Sequence, residues 1–258
     1  MVRRNWRLVA LILGLCTLAF AAALWYILEN PVSQTFGRTV TMVPLHQKVV
    51  ALTFDDGPNP PYTNEIVDYL RAHHAVATFF VVGSAVARFP DVVRAEVRNG
   101  DALGNHTWDH AHLVLESSAH IARELQRTDA IIQSVAGVQT RLFRPPFGAR
   151  DYRIIRVAHR LGYTVVMWSV PLPHDWSQPP PQVIRDRVLR YVKDGSIIVL
   201  HDGNRGRGGN RKNTVEATKL IVDELQRRGY RLVTVPELLQ MGYAEATKKQ
   251  SVPGPQME

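Results

Sequence analysis

Two aspartates stand side by side in the hexapeptide TFDDGP, residues 53 to 58, directly after the apolar run Val49-Val50-Ala51-Leu52. Neighbouring side chains on a strand point to opposite faces, but a strand end released into a Gly-Pro turn can aim Asp55 and Asp56 into one cleft. Further on, HTWDH supplies His106 and His110 at i and i+4, a spacing that stacks both imidazoles on one side of a helical turn. Two histidines and one carboxylate are a common catalytic zinc set that leaves positions for water and substrate. Asp56 is the natural third ligand, which frees Asp55 to take a proton from water. A divalent cation lowers the pKa of a water it binds toward about 7, and it relieves the repulsion that would keep one of two adjacent carboxyls protonated. An isolated H-x-x-x-H also fits an ordinary surface turn; the paired carboxylates are what favour the metal reading. His112, at i+6 from His106, falls on a different face.

Two further motifs add charge to the same region. FRPPFG brings Arg144, whose guanidinium can pair with Asp55 and keep it ionised and oriented. IIVLHDG ends the most apolar strand pattern on His201. A buried imidazole prefers to be neutral, but a neighbouring carboxylate favours the proton, which could then pass to a leaving group. The alternative is a core histidine bonded to a backbone carbonyl. Asp202, next to it, reads as a solvated turn residue.

These residues must be positioned by the elements that precede them. Strand patterns are predicted at Val49 to Phe54, Ala77 to Val82, Asp101 to Gly104, Arg141 to Phe143, Tyr163 to Trp168, Ser196 to Leu200 and Arg231 to Val235. Helical patterns lie between them. Ile66, Val67 and Leu70 give one face, Asp91 can cap 92–99, and Ser117 or Ser118 can start a helix to Gly137. Asp151 starts another ending at Gly162, and residues 183–192 and 215–228 complete the set. Seven strands alternating with helices predict an α/β fold with mainly parallel strands, either a barrel or an open sheet. Asp55 and Asp56 follow the first strand, His106 and His110 the third, Arg144 the fourth, Asp175 and Trp176 the fifth, and His201 the sixth. The carboxyl ends of parallel strands share one face, where active sites are built.

The 258-residue chain is long enough for one large domain plus an anchor. Leu8 to Leu28 carries no charge and can cross a bilayer as a helix. Arg3, Arg4 and Arg7 precede it, which keeps the amino terminus inside and sends the remainder out. A cleaved secretory signal is the competing reading, since Phe20-Ala21-Ala22-Ala23 offers small residues, and both export the domain. Cys16 is the single cysteine, so no intrachain disulfide and no cysteine-rich metal site can form. Of the net charge of +8, Arg3, Arg4, Arg7 and Glu29 account for +2. A basic exported surface suits acidic polymers or an anionic envelope, and the compartment argues against nucleic acid. The expected divisions are an anchor at 1–29, a linker at 30–47, a catalytic domain at 48–241 and a disordered tail at 242–258.

In this order, TFDDGP, HTWDH, RPPFG and LHDG resemble the polysaccharide deacetylases of carbohydrate esterase family four, over about residues 48 to 241. The resemblance implies a distorted (β/α) barrel of about seven strands. It implies Asp55 as general base, Asp56, His106 and His110 as ligands of a divalent metal (usually zinc, sometimes cobalt or nickel), and His201 as general acid. Arg144 corresponds to the arginine that supports the base. The Phe147 amide is the candidate oxyanion donor, and Trp176 and Leu200 look like the apolar walls around the acetyl methyl group. Where the family often reads W-S-V-D-x-x-D-W, this chain has WSVPLPHDW at 168 to 176. The first aspartate is absent and the loop is one residue longer, leaving Asp175 to support His201. The loop HDGNRGRGGNRKNTVEA resembles the family's Gly-rich loop, and its extra arginines could meet an acidic glycan or simply be solvated.

The function implied is a membrane-tethered, extracytoplasmic bacterial hydrolase that removes acetyl groups from the N-acetylated sugars of peptidoglycan. Chitin oligomers, exported glucosamine polymer and O-acetyl xylan are the other substrates, and a non-catalytic glycan-binding wall protein is the reading from another class.

Overall fold

The computed structural model describes residues 2–250. The first helix, α1 (Val2–Glu29), carries one apolar window, Asn5–Leu24, of mean hydropathy 2.2 with none of it buried against the rest of the chain. Seven parallel strands follow: β1 (Val49–Asp55), β2 (Thr78–Val81), β3 (Ala102–Asn105), β4 (Leu142–Phe143), β5 (Thr164–Val165), β6 (Ile197–His201) and β7 (Arg231–Leu232). Their order is β5-β4-β3-β2-β1-β6, with β7 paired to the start of β1. Helices α2 (Tyr62–Ala72), α3 (Gly83–Arg88), α4 (Pro90–Asn99), α5 (Ser118–Ala136), α6 (Tyr152–Arg160), α7 (Pro181–Leu189), α8 (Lys212–Arg227) and α9 (Val235–Gln250) connect or follow them.

Every residue of β1 is buried, which is why its sequence reads as an unbroken apolar run rather than an alternating one. The alternation survives in where the side chains go. Val49 and Ala51 enter the cluster inside the curled sheet with Phe80, Phe143, Val199 and Trp168. Val50, Leu52 and Phe54 enter the cluster between sheet and helices with Phe79, Val81 and Leu200. By the same period of two, Thr53 and Asp55 fall on the inner face.

The predicted strands are all present, though the third extends to Asn105 and those at 163–168 and 231–235 shrink to two residues each. Ser117 caps α5 by accepting from the His120 amide at 3.2 Å, and Asp151 caps α6 through Ile154 N at 3.0 Å. Asp91 caps nothing. Phe89 and Pro90 begin α4, and the Asp91 carboxylate instead pairs with Arg94 one turn on. Helix α3 had no sequence signal of its own, being a single short turn of small residues.

Two of the expected divisions need correction. Part of the supposed linker 30–47 belongs to the barrel: Val40 bridges Val166, Met42 bridges Ser196, and Val43 and Leu45 are buried in the inner cluster, so this segment fills the gap between β5 and β6. Its apolar residues are interrupted by Thr41 and Pro44, too short a pattern to register as a strand. Asn30 to Ser33 is also tied down, because buried Arg150 donates to the carbonyls of Asn30, Pro31 and Ser33 as well as to Gly148 O. At the other end α9 runs on to Gln250, so 242–250 is helical and not a disordered tail. Ala244, Glu245, Ala246, Lys248 and Lys249 are good helix formers that simply continue the preceding turn. The remainder, 251–258, lies outside the described residues.

Candidate active site

The register of β1 against β6 sets Asp55 directly opposite His201. Asp55, at the inner-face end of β1, meets Arg144, which is wholly buried just after β4. Arg144 spends its guanidinium on four bonds: to Asp55 Oδ1 at 2.6 Å, Thr53 Oγ1 at 2.8 Å, and the carbonyls of Val166 and Met167 at 3.2 and 3.1 Å. Its plane also lies over the Phe80 ring, 4.0 Å from the centroid. A buried cation with this many acceptors has one orientation, and it fixes one oxygen of Asp55. Thr53 was absent from the sequence expectation, yet the period of two from Asp55 was a usable signal for it.

Asp56 leaves the strand with φ 80° and turns toward the two histidines. Its Oδ1 lies 3.0 Å from His110 Nε2 and 3.5 Å from His106 Nε2, and one donor atom from each of the three groups falls within 4.8 Å of the others. All three residues are buried. His106 Nδ1 sits 2.7 Å from Arg144 O, and since a carbonyl only accepts, Nδ1 carries the proton and Nε2 presents a lone pair. Burial, with the nearby charges of His106 and Arg205, pulls His110 below the ordinary imidazole value against the opposing pull of Asp56. Burial alone would raise the Asp56 carboxyl, but the two imidazoles and the His201 charge hold it well below the usual carboxylate range. Asp56 Oδ1 nevertheless has no hydrogen bond of acceptable geometry. The His106 Nε2 lone pair, the facing His110 Nε2 and an orphaned buried carboxylate oxygen converging on one point fit a divalent cation, which binds imidazole nitrogen and ionised carboxylate together.

The histidines do not come from a helical turn as their spacing predicts. Residues 106–112 form an irregular loop in which Thr107 and His110 have φ 67° and 61°. Asn105 Oδ1 accepts from Thr107 N at 2.9 Å and Glu124 Oε2 from Trp108 N at 2.8 Å, so side chains supply the acceptors that a helix would have taken from its backbone. The Phe147 ring then packs edge-on to His110 at 4.5 Å and stacks on His112 at 5.0 Å.

His201 is held by Asp175 at two points: ring Nδ1 to Oδ1 at 2.9 Å and main-chain N to Oδ2 at 2.7 Å. Asp175 is fully buried in a short 3-10 turn, and Thr214 Oγ1 donates to its Oδ2 at 3.2 Å. Desolvation lowers the His201 pKa, but the Asp175 charge and hydrogen bond, with help from Asp56 and Asp55, raise it to about 9. The loop that lacks the family's first aspartate therefore still delivers the second to the ring. Trp176 lies edge-on to His201 at 5.3 Å and is 39% exposed.

Asp55, Asp56, His106, His110, Phe147, Trp176 and His201 line a cleft of about 350 Å³ together with Gly148, Trp168, Leu172, Val199, Asn204 and Arg205, the size class of small-molecule sites. Leu200 is not among them. It follows Val199 on β6 and so points the other way, into the core between sheet and helices; the leucine at the cleft is Leu172. Asp202 also departs from expectation. It is 1% exposed, accepts from Thr63 Oγ1 at 2.5 Å, and sits against Gly57 where no side chain would fit; burial pushes its carboxyl up to about 7. Among the described residues, four of the eight non-glycine positions with positive φ, namely Asp56, His110, Phe147 and Arg205, line this cleft, which is where stored backbone strain is expected to concentrate.

A carboxylate and an imidazole beside three metal-type donors can take a proton on one side of a reacting bond and return one on the other, which is the equipment of a hydrolase. Comparison with known proteins narrows the class. A family model described as polysaccharide deacetylase matches residues 43–166. A peptidoglycan-N-acetylglucosamine deacetylase of Bacillus cereus is 38% identical over 204 residues, covering 79% of this chain and 93% of that protein. The peptidoglycan-N-acetylmuramic acid deacetylase PdaC of Bacillus subtilis is 36% identical over 80% of this chain, which spans only 40% of PdaC. The solved structure of PdaC superimposes with a TM-score of 0.72 at 34% identity, over 80% of this chain and 96% of that one. The chain belongs to the polysaccharide deacetylase family.

Proposed function

We propose that the protein removes acetyl groups from N-acetylated sugars of peptidoglycan outside the cytoplasm, with α1 holding the domain at the membrane. The observation that carries the catalytic part is the convergence of Asp56, His106 and His110 beside an Asp55 clamped by Arg144 and a His201 clamped by Asp175. Asp56, His106 and His110 would hold a divalent cation, most simply zinc, with cobalt or nickel as substitutes. Bound there, the cation supplies Lewis acidity toward the carbonyl and a more acidic water.

Asp55 takes the proton from the attacking water, and the Arg144 bond keeps that carboxylate ionised and aimed. The Phe147 N–H donates to the oxygen that becomes negative as water adds to the acetamide carbon. His201, protonated by virtue of Asp175, gives its proton to the amine nitrogen as the carbon–nitrogen bond breaks, releasing acetate and a free amino sugar. Trp176 and Leu172 wall the cleft around the acetyl methyl group. Peptidoglycan is favoured by an exported domain tethered close to the wall and by the substrate for which both relatives above are named. Acetate release from purified wall glycan, measured with added zinc, after chelation, and with Asp55→Asn, tests the reading. The expected result is release that needs zinc and falls at least about a hundredfold in the variant; release unaffected by the variant would overturn it.

A further inference from the structure

Arg205 is a cation at the mouth of this cleft that the acetyl-transfer machinery does not use. It is exposed, lines the cleft with Asp56 and His110, and lies over the Phe147 ring at 4.9 Å from the centroid. Among the described residues no carboxylate forms an ion pair with it. The other arginine of this loop that faces the cleft, Arg211, is spent on the carbonyls of Gly203, Trp176 and Asn210.

The position of Arg205 is built rather than loose. Gly203 N donates to Asp55 O at 3.3 Å and Gly206 N to Asp56 O at 3.1 Å, so the turn carrying Arg205 is stitched to the backbone of the two aspartates themselves. Arg205 holds φ 51°, and Gly206, at φ 67°, lies so close to Val82 and Ser84 that a side chain there would force the turn outward. A non-glycine residue kept in the left-handed region beside a reactive centre points to use of its side chain. With one guanidinium face on Phe147, the N–H edge is left for a planar acceptor, and a carboxylate is the group that matches it in two-point fashion.

We propose that Arg205 selects substrates bearing a free carboxylate close to the acetamide, the arrangement of a 3-O-lactyl amino sugar of the muramic acid type, over neutral acetamido sugars. The acetamide on C2 and the lactyl ether on C3 sit on adjacent ring carbons, so a sugar that puts the first at Asp56 and His110 keeps the second within the same small cleft, which Phe147 and Arg205 also line. This rests on the deacetylase reading above and assigns its substrate class.

The test compares acetate release by the full-length enzyme from muramic-acid-containing glycan fragments with the lactyl carboxylate free and with the same carboxylate methyl-esterified, which keeps shape and removes charge. The free acid is expected to have a kcat/KM about tenfold higher or more, the value of a charge-assisted hydrogen bond. That ratio should fall to within about twofold of one in Arg205→Ala and be intermediate in Arg205→Lys, which keeps charge without the fork. An unchanged ratio in Arg205→Ala, or no preference in the unaltered enzyme, overturns the assignment while leaving the deacetylase reading intact. No acetate from any fragment, chitin oligomers included, would instead remove the deacetylase reading on which it stands.

Discussion

Asp175 accepts twice from His201, once from the ring and once from the main chain, at 2.9 and 2.7 Å. A single carboxylate thus sets both the charge of the imidazole and the direction in which its Nε2 points. With His201 raised to about 9, the protonated form, which we propose as the acid, persists through neutral pH and is lost as pH rises through that value. Asp175→Asn keeps the shape and removes the charge. The falling alkaline limb of kcat/KM should then move down by about one unit or more, and a pH–rate profile of the two proteins checks it. The same linkage predicts that the pair's contribution to stability is whole below about 6.5 and disappears as pH rises through about 9. A limb that stays in place would mean another group carries the proton.

Arg144 and Asp55 are both buried, so removing the cation strands the carboxylate. Arg144→Ala is expected to cost about 3 to 5 kcal/mol of stability, read by urea denaturation. Arg144→Lys tests geometry separately. An ammonium cannot serve Thr53, Val166, Met167 and Asp55 together, and activity should fall by about a hundredfold with a smaller loss of stability.

The orphaned Asp56 oxygen predicts that a cation stabilises the fold. At a thousandfold excess over its dissociation constant, zinc should add about 4 kcal/mol, visible as a rise in Tm. The rise should vanish in Asp56→Ala and in His110→Ala, and chelation should reverse it. A Tm indifferent to zinc, cobalt and nickel would argue against a cation at this point.

Leu200 and Leu172 should separate cleanly. Leu200→Ala opens a cavity in the core between sheet and helices and is expected to cost about 2 to 5 kcal/mol while leaving KM unchanged. Leu172→Ala, at a half-buried cleft position, should raise KM with a much smaller change in Tm. The opposite pattern would restore Leu200 as the cleft wall.

Much of this site was legible along the chain because parallel strands carry their chemistry at one end, and TFDDGP, HTWDH, RPPFG and LHDG each sit where a strand pattern stops. Asp55, Asp56, His106, His110 and His201 all reach one cleft for that reason, with Arg144 and Asp175 buried behind Asp55 and His201. Side-chain direction was less legible. Leu200 was placed by its neighbour His201, although adjacent strand residues face opposite ways, and Asp202 was read as solvated because burial is not encoded in a turn's composition.

The sequence by itself determined the α/β class with mainly parallel strands and which polar groups stand at the carboxyl ends of those strands, because those follow from hydrophobic period and from residue types at strand ends. Only the tertiary structure decided that Val40 to Leu45 closes the sheet, that Asp175 reaches His201 through an altered loop, and that Arg205 is fixed above Phe147. Each of those depends on contacts between segments far apart in the chain, whose meeting is set by sheet register and packing rather than by any local pattern.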